Sequence, residues 1–214
     1  MSEDCCKTRG RPKASADDAQ KRAIVDKARR LFLLNGYGAT KTEDIAAQCK
    51  ISKQTLYRLF PGKSALFAAV VEANRPQWLE LPVPEDLPLQ EALERIFRID
   101  ISDEEDRERL GLAQLSLSES HAHPELIEIV KECGSKHSLA ELANWMKRQE
   151  MRGRLRLAGD DYSTARMLMD MVYGALAMKL FNDIGWSSSQ ARRAHIRNVI
   201  GVFLHGVCTA RPQP

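Results

Sequence analysis

Residues Thr42–Phe60 read TEDIAAQCKISKQTLYRLF. Ile45, Ala46 and Cys49 fall on one face of a short helix, with Thr42 as N-cap and Glu43 and Asp44 complementing its dipole. Ser52 opens a second short helix that presents Leu56, Leu59 and Phe60. The five residues Gln48–Ser52 between the two force a sharp turn. Such a pair buries little alone and needs a supporting helix. Ile24, Ala28, Leu31 and Phe32, spaced i, i+4, i+7, i+8, supply one, with Gly36 placed to stop it. The outer face of the second helix then carries Lys53, Gln54, Thr55, Tyr57 and Arg58, donors and mixed donor/acceptors with no acid. That face suits a major groove, where base edges and phosphates are reached together.

Charge runs the same way. The chain has 214 residues and a net charge of +3. Residues 1–75 carry 15 Lys+Arg against 8 Asp+Glu, and the remainder 17 against 21. A basic first third on an acidic remainder points to a polyanion met by the first part alone. Arg9-Gly10-Arg11-Pro12-Lys13 has the form of a minor-groove hook: Gly lets the backbone sit deep, Pro keeps it extended, and Arg9, Arg11 and Lys13 seek the negative groove.

The rest of the chain narrows the class. No run of 18 apolar residues predicts a membrane span, and the polar stretch Met1–Arg11 does not read as a secretory signal. The five cysteines, Cys5, Cys6, Cys49, Cys133 and Cys208, are odd in number and match no zinc spacing. They argue against a disulfide framework and for a reducing cytoplasm. His121 and His123 lack a third ligand, so no metal is expected, nor any other cofactor. No Ser/His/Asp set, glycine-rich phosphate loop or metal-binding His/Glu motif points to an enzyme. Pro76, Pro82, Pro84 and Pro88 crowd thirteen residues and mark a domain junction. Beyond it the periodicity predicts helices over about 89–101, 104–118, 124–151, 160–184 and 188–209.

Ile24–Phe67 resembles the N-terminal domain of the tetracycline-repressor (TetR/AcrR) family of bacterial transcriptional regulators. The resemblance rests on Ala28, Leu31-Phe32, Gly36-Tyr37, Thr40, Thr42, Asp44-Ile45-Ala46, Ile51-Ser52, Thr55-Leu56-Tyr57, Phe60, Lys63 and Leu66. Lys50 departs from it, standing where the family has Gly in the turn. If φ is positive there, a non-Gly residue costs on the order of 1 kcal/mol.

The resemblance implies an all-α protein: a three-helix helix-turn-helix DNA-binding domain followed by a helical ligand-binding and dimerisation domain. The expected division is a flexible basic arm over 1–18, the DNA-binding domain over 19–75 and the effector domain over 76–214. Lys53–Leu59 would be the recognition helix, with Gln54 and Lys53 reading adenine and guanine. Thr42, Thr55, Tyr57 and Lys63 would contact the DNA backbone, and Lys63 also sits at a helix N-terminus suited to phosphate. Lys50, Ser52 and Arg58 complete the expected DNA-facing set. Tyr57 is open between phosphate contact and packing.

For the larger domain, Phe97, Ile101, Leu115, Trp145, Met146, Met167, Met171 and Met178 are candidate ligand-lining residues, because Met and aromatic side chains adapt to and stack on organic ligands. Leu168, Val172, Leu176, Val199 and Phe203 lie on apolar stripes suited to pairing two subunits. The expected partners are pseudo-palindromic double-stranded DNA, a small-molecule effector and a second copy of the chain. The leading expectation is a repressor released from its operator by a ligand. The alternative is an architectural or activating protein whose C-terminal domain only dimerises.

Overall fold

The computed structural model describes residues 13–157, 159–182 and 188–207, with side chains described for 17–157, 159–174 and 188–206. The described residues form helices and no strand. The chain divides into two compact units, Met1–Val70 and Val71–Pro214, at a point inside the fourth helix.

The first unit contains α1 (Lys13–Asn35), α2 (Thr42–Gln48), α3 (Lys53–Leu59) and most of α4 (Lys63–Asn74). Its core joins Ile24, Ala28 and Phe32 of α1 to Tyr37, Ile45, Leu56, Leu66 and Phe67, all buried. Phe32, Tyr37 and Phe67 meet as an aromatic triad with centroids 5.3–5.5 Å apart, Phe67 edge-on to both others. Thr40, buried beside it, donates its hydroxyl to the carbonyls of Gly36 at 2.6 Å and Leu31 at 3.2 Å. This hydrogen bonding ties the chain reversal after α1 to the helix that precedes it. α1 begins at Lys13, so residues 13–18, expected in a flexible arm, are helical. The segment is polar, but Ala14, Ala16, Ala19 and Gln20 are strong helix formers.

Between α2 and α3 the backbone does what the turn demands despite the missing glycine. Lys50 has φ 54°. Its N–H donates to Ala47 O at 3.0 Å, and the N–H of Ile51 donates to Ala46 O at 3.0 Å. These are the paired closing bonds of a Schellman cap, with Lys50 in the left-handed position that glycine usually takes. The prediction is direct: Lys50→Gly relieves that strain and raises the stability of this unit by about 0.5–1 kcal/mol, less than the full strain because Gly also loosens the unfolded chain. A far-UV circular dichroism melt checks it, and an unchanged or lowered midpoint would count against the strain.

The second unit contains a 3-10 turn (Arg75–Gln77), α5 (Leu89–Ile96), α6 (Asp103–Ser118), α7 (Glu125–Ile129), a π-helical turn (Val130–Ser135), α8 (Lys136–Met151), α9 (Asp161–Asn182) and α10 (Ser189–Val207). α8 packs on α9, and α10 packs on both α5 and α9. Their shared core holds Leu93, Ile96, Phe97, Leu142, Trp145, Met146, Leu168, Val172, Ile200 and Phe203. The proline-rich junction is held down by Glu85, which accepts from Arg148 Nε at 2.9 Å and Arg152 Nη1 at 3.2 Å, both on or just after α8. These donors keep the Glu85 carboxyl below its ordinary pKa, Arg148 foremost.

Two helical segments depart from a plain α-helix over the range that periodicity predicts. The segment from Leu89 does not run to Ile101: α5 stops at Ile96, and Arg98 (φ 49°) closes a second Schellman cap, its N–H on Arg95 O and that of Ile99 on Glu94 O. Beyond the cap Phe97, Ile99 and Ile101 are all buried, an alternate-residue pattern that already departs from helical spacing. The segment 124–151 is helical without a break from Glu125 to Met151, but winds as a π-turn over Val130–Ser135, where Gly134 allows close approach: a Cβ there would stand 3.2 Å from Val71 Cγ1.

Candidate nucleic-acid interface and ligand cavity

Ser52 caps α3: its Oγ accepts from the Thr55 N–H at 3.0 Å and lies 2.8 Å from Thr55 Oγ1. Those two hydroxyls fix where the helix begins. Leu56 is buried beneath it, and Lys53, Gln54, Tyr57 and Arg58 are exposed. Four of the five residues that the sequence places on the outward face are exposed; Thr55 is half-buried, its hydroxyl against Ser52. Gln54 stands at its front with no hydrogen-bond partner among the described residues, so both its amide donors and its carbonyl are available for a base edge.

Tyr57 is 42 % exposed and not a core ring, and its hydroxyl lies 3.2 Å from Thr42 Oγ1. Thr42 does not cap α2. It is the first residue of that helix, and its hydroxyl donates to Glu43 Oε2 at 3.2 Å. The two backbone-contact candidates, Thr42 and Tyr57, thus stand together and bridge α2 to α3.

Three cations are already engaged within the unit. Lys53 pairs with the Glu43 carboxylate and lies 5.7 Å from the centre of the Tyr57 ring. The Lys53 ammonium holds Glu43 at a pKa of about 2, and Glu43 in turn pushes Lys53 upward. Arg58 reaches Asp17 of α1 at 3.5 Å. Both pairs are exposed, so a phosphate can compete for either cation. Lys63 differs. Its ammonium donates to three carbonyls, Tyr37 O at 2.8 Å, Gly38 O at 3.1 Å and Thr40 O at 3.2 Å, and sits 4.5 Å from the Tyr37 ring centre. With three donors and three acceptors, the group is saturated. The ammonium clamps the α1–α2 connection, at the position where the sequence predicts a phosphate contact. Lys50 is exposed at its cap. Arg9 and Arg11 lie outside the described residues, as does the side chain of Lys13.

The second unit holds a cavity of about 800 Å³ between the end of α4, α6, the π-turn, α8 and α9. Its walls include Val71, Trp78, Leu112, Leu139, Met169 and Tyr173, with Asn74 and Arg75 also at its surface. Trp78 and Tyr173 meet edge to face, centroids 5.4 Å apart, and the Tyr173 hydroxyl donates to Trp78 O at 2.7 Å. Burial pushes the Tyr173 phenol up to about 12, so it remains a neutral donor.

None of the described side chains expected from sequence to line a ligand site borders this cavity. Phe97, Ile101, Trp145 and Met146 are buried core, Leu115 is half-buried away from the cavity, and Met167 and Met171 are exposed. The Met178 side chain lies outside the described residues. On the stripe expected to pair two subunits, the described side chains turn to the unit's own core. Leu168, Val172, Val199 and Phe203 are buried within their own unit, while Met167, Met171 and Val202 face outward on α9 and α10. The Leu176 side chain is outside the described residues. An apolar stripe shows that a face is buried, not by which chain.

A capped short helix, turned out from a three-helix support and followed by a helical unit with an apolar cavity, defines a helix-turn-helix DNA-binding protein. The comparisons then fix the family. Residues 24–70 match the model of bacterial regulatory proteins of the tetR family, and residues 91–206 match the AefR-like transcriptional repressor C-terminal domain. The chain belongs to the tetR family and is a DNA-binding transcriptional regulator. The HTH-type transcriptional regulator UidR of Escherichia coli K12 is 26 % identical over 196 residues, 87 % of this chain and 92 % of UidR. A putative tetR-family regulator from Mesorhizobium loti is 26 % identical, with TM-score 0.66, covering 94 % of this chain and 99 % of its own. The flavonoid-responsive regulator FrrA shares the fold at 23 % identity and TM-score 0.67, over 92 % of this chain and all of FrrA.

Proposed function

We propose that the chain is a homodimeric, cytoplasmic repressor that leaves its operator when a small organic molecule occupies the cavity of the second unit. The observation that carries this reading is the cavity itself. At about 800 Å³, with aromatic and aliphatic walls and charged groups such as Arg75, Lys136 and Arg166 also lining it, it has the size of a small-molecule site. Two names add support: the C-terminal model is described for a repressor, and FrrA is called flavonoid-responsive. Met167, Met171 and Val202 give the outward faces of α9 and α10 the apolar character a second copy requires.

In this mechanism the dimer sets two α3 helices in successive major grooves, one DNA turn apart, on a pseudo-palindrome. Gln54 reads a base edge. Lys53 is the second base reader; Tyr57, Thr42, Thr55 and Arg58 hold the phosphates, and Lys50 adds charge nearby. Arg9, Arg11 and Lys13 reach a minor groove. Occupation of the cavity favours a dimer in which the helices no longer match the groove spacing. Only a difference in affinity between the two states can do this.

Selection of bound duplexes from a random pool, followed by fluorescence anisotropy on the selected site, tests the reading. Gln54→Ala should weaken the selected site by about 1–3 kcal/mol per base contact and flatten preference at one position in each half-site. The salt dependence should not change, because no charge is removed. Preference retained at every position would place base reading elsewhere on the unit. A selected site without two-fold symmetry, or a monomer in sedimentation, would remove the dimer.

A further inference from the structure

The cavity has a polar corner that the protein leaves unsatisfied. Asn74, the last residue of α4, is 4 % exposed, and its Oδ1 is buried without a hydrogen-bond partner. The adjacent Arg75 leaves its Nε buried and unbonded, and no carboxylate pairs with it among the described residues. Both residues line the cavity. A buried acceptor and a buried cationic donor without partners are costly unless something that enters the cavity answers them.

The charges around this corner say what enters. Glu132 and Asp170, the acids of the cavity wall, are each taken: Lys136 pairs with Glu132 at 3.0 Å and Arg166 with Asp170 at 3.1 Å. Lys131 turns to Glu128 at 3.3 Å. Arg75 is thus the lining cation that stays unneutralised. Behind the aromatic wall the balance is positive again. The Arg109 guanidinium lies 5.3 Å from the Trp78 ring centre and 5.8 Å from that of Tyr173. Arg109 and Arg192 share a single carboxylate, Asp106, at 2.6 Å and 3.7 Å. An excess of buried positive charge beside an apolar cavity favours an anion over a cation, because the low dielectric screens it weakly.

We infer that the cavity takes a multi-ring aromatic anion. Its rings stack against Trp78 and Tyr173, its acidic group pairs with Arg75, and a hydroxyl or amine of the same molecule donates to Asn74 Oδ1. This rests on the reading of the second unit as a ligand-responsive domain and names the chemical class that the domain answers.

The test uses the full chain and two fluorescent probes of nearly the same shape. 1-Anilinonaphthalene-8-sulfonate carries a sulfonate and a bridging N–H; N-phenyl-1-naphthylamine keeps the rings and the N–H but has no charge. Arg75→Met should weaken the sulfonate probe about tenfold or more and the neutral probe less than about twofold, with Arg75→Lys recovering part of the loss. Asn74→Asp is nearly isosteric, places a carboxylate beside Arg75, and should discriminate between the probes in the same direction. Arg75→Met lowering both probes alike, or neither, would overturn the anion assignment. Anisotropy of the selected operator duplex in the same titrations keeps the two readings apart. Charge-selective binding of the sulfonate probe that leaves the DNA complex intact would refute ligand release and sustain the anion. Release by the neutral probe with no charge selectivity would refute the anion and sustain ligand release.

Discussion

Asp106→Asn is expected to destabilise the second unit by about 3–5 kcal/mol, the cost of removing one member of a buried charge cluster. The side chains of Arg109, Arg192 and Asp106 are 3 %, 1 % and 13 % exposed, so two guanidiniums and one carboxylate share an interior with little water. Asp106 lies on α6 and Arg192 on α10, and the carboxylate joins the two helices. Arg192 also donates Nη2 to Ile101 O at 2.8 Å, the residue just before the α6 cap. Burial lowers the Arg192 pKa, and the Asp106 carboxylate opposes that shift. With Asn in place of Asp, two like charges stay buried without the carboxylate they share. All three tryptophans, Trp78, Trp145 and Trp186, belong to this unit, so tryptophan fluorescence in a urea titration reports its unfolding alone. Adding Arg192→Met to Asp106→Asn restores the original excess of one buried positive charge and should recover part of the loss. A single variant within about 1 kcal/mol of the parent would mean that solvent reaches the cluster and screens it.

The difference between what the sequence discloses and what it hides follows from distance along the chain. The α2–α3 pair is legible because its determinants are local. Ser52 caps the helix it precedes, Lys50 occupies the one position whose φ must be positive, and Leu56 lies on the buried face that helical spacing assigns. The direction of the exposed face follows from those three, and Gln54 falls on it. The cavity is illegible for the opposite reason. Trp78 and Tyr173 touch across 95 residues of chain, and Asn74 and Arg75 acquire a role only when α6, α8 and α9 close around them. The methionines and aromatics that look ligand-facing by composition, Trp145 and Met146 among them, serve the core where α8 packs on α9. On α9 and α10 neighbouring residues part company: Met171 and Val202 are exposed, whereas Val172 and Phe203 are buried. Periodicity assigns residues to a stripe, but the register that divides an intrachain face from an outer one is set by α5 and α8, which lie far away in sequence.

Lys63→Met should destabilise the first unit by about 2–3 kcal/mol, and it should do so without changing how DNA affinity depends on salt. The ammonium donates to three backbone carbonyls of the α1–α2 connection, Tyr37 O, Gly38 O and Thr40 O. Hydrogen bonds to a charged donor are worth about 1.5–3 kcal/mol each, but three that converge on one group are not additive, and part of the cost is relieved where water reaches the exposed carbonyl of Gly38. Methionine keeps most of the aliphatic stem and removes only the donors and the charge, so the loss isolates the clamp. Because the first unit has no tryptophan, its melting should appear in far-UV circular dichroism as an early transition to which tryptophan fluorescence is blind. Affinity for the selected operator should then fall only as far as the folded fraction of that unit falls, and stabilising the unit with Lys50→Gly should restore part of it. A direct phosphate contact would give a different pattern: a normal melt, uniform weakening on every duplex, and a salt slope reduced by about one counterion. That pattern would return Lys63 to the DNA-facing set. The clamp requires the early transition, since the orientation of α2, and with it α3, depends on how the chain leaves α1.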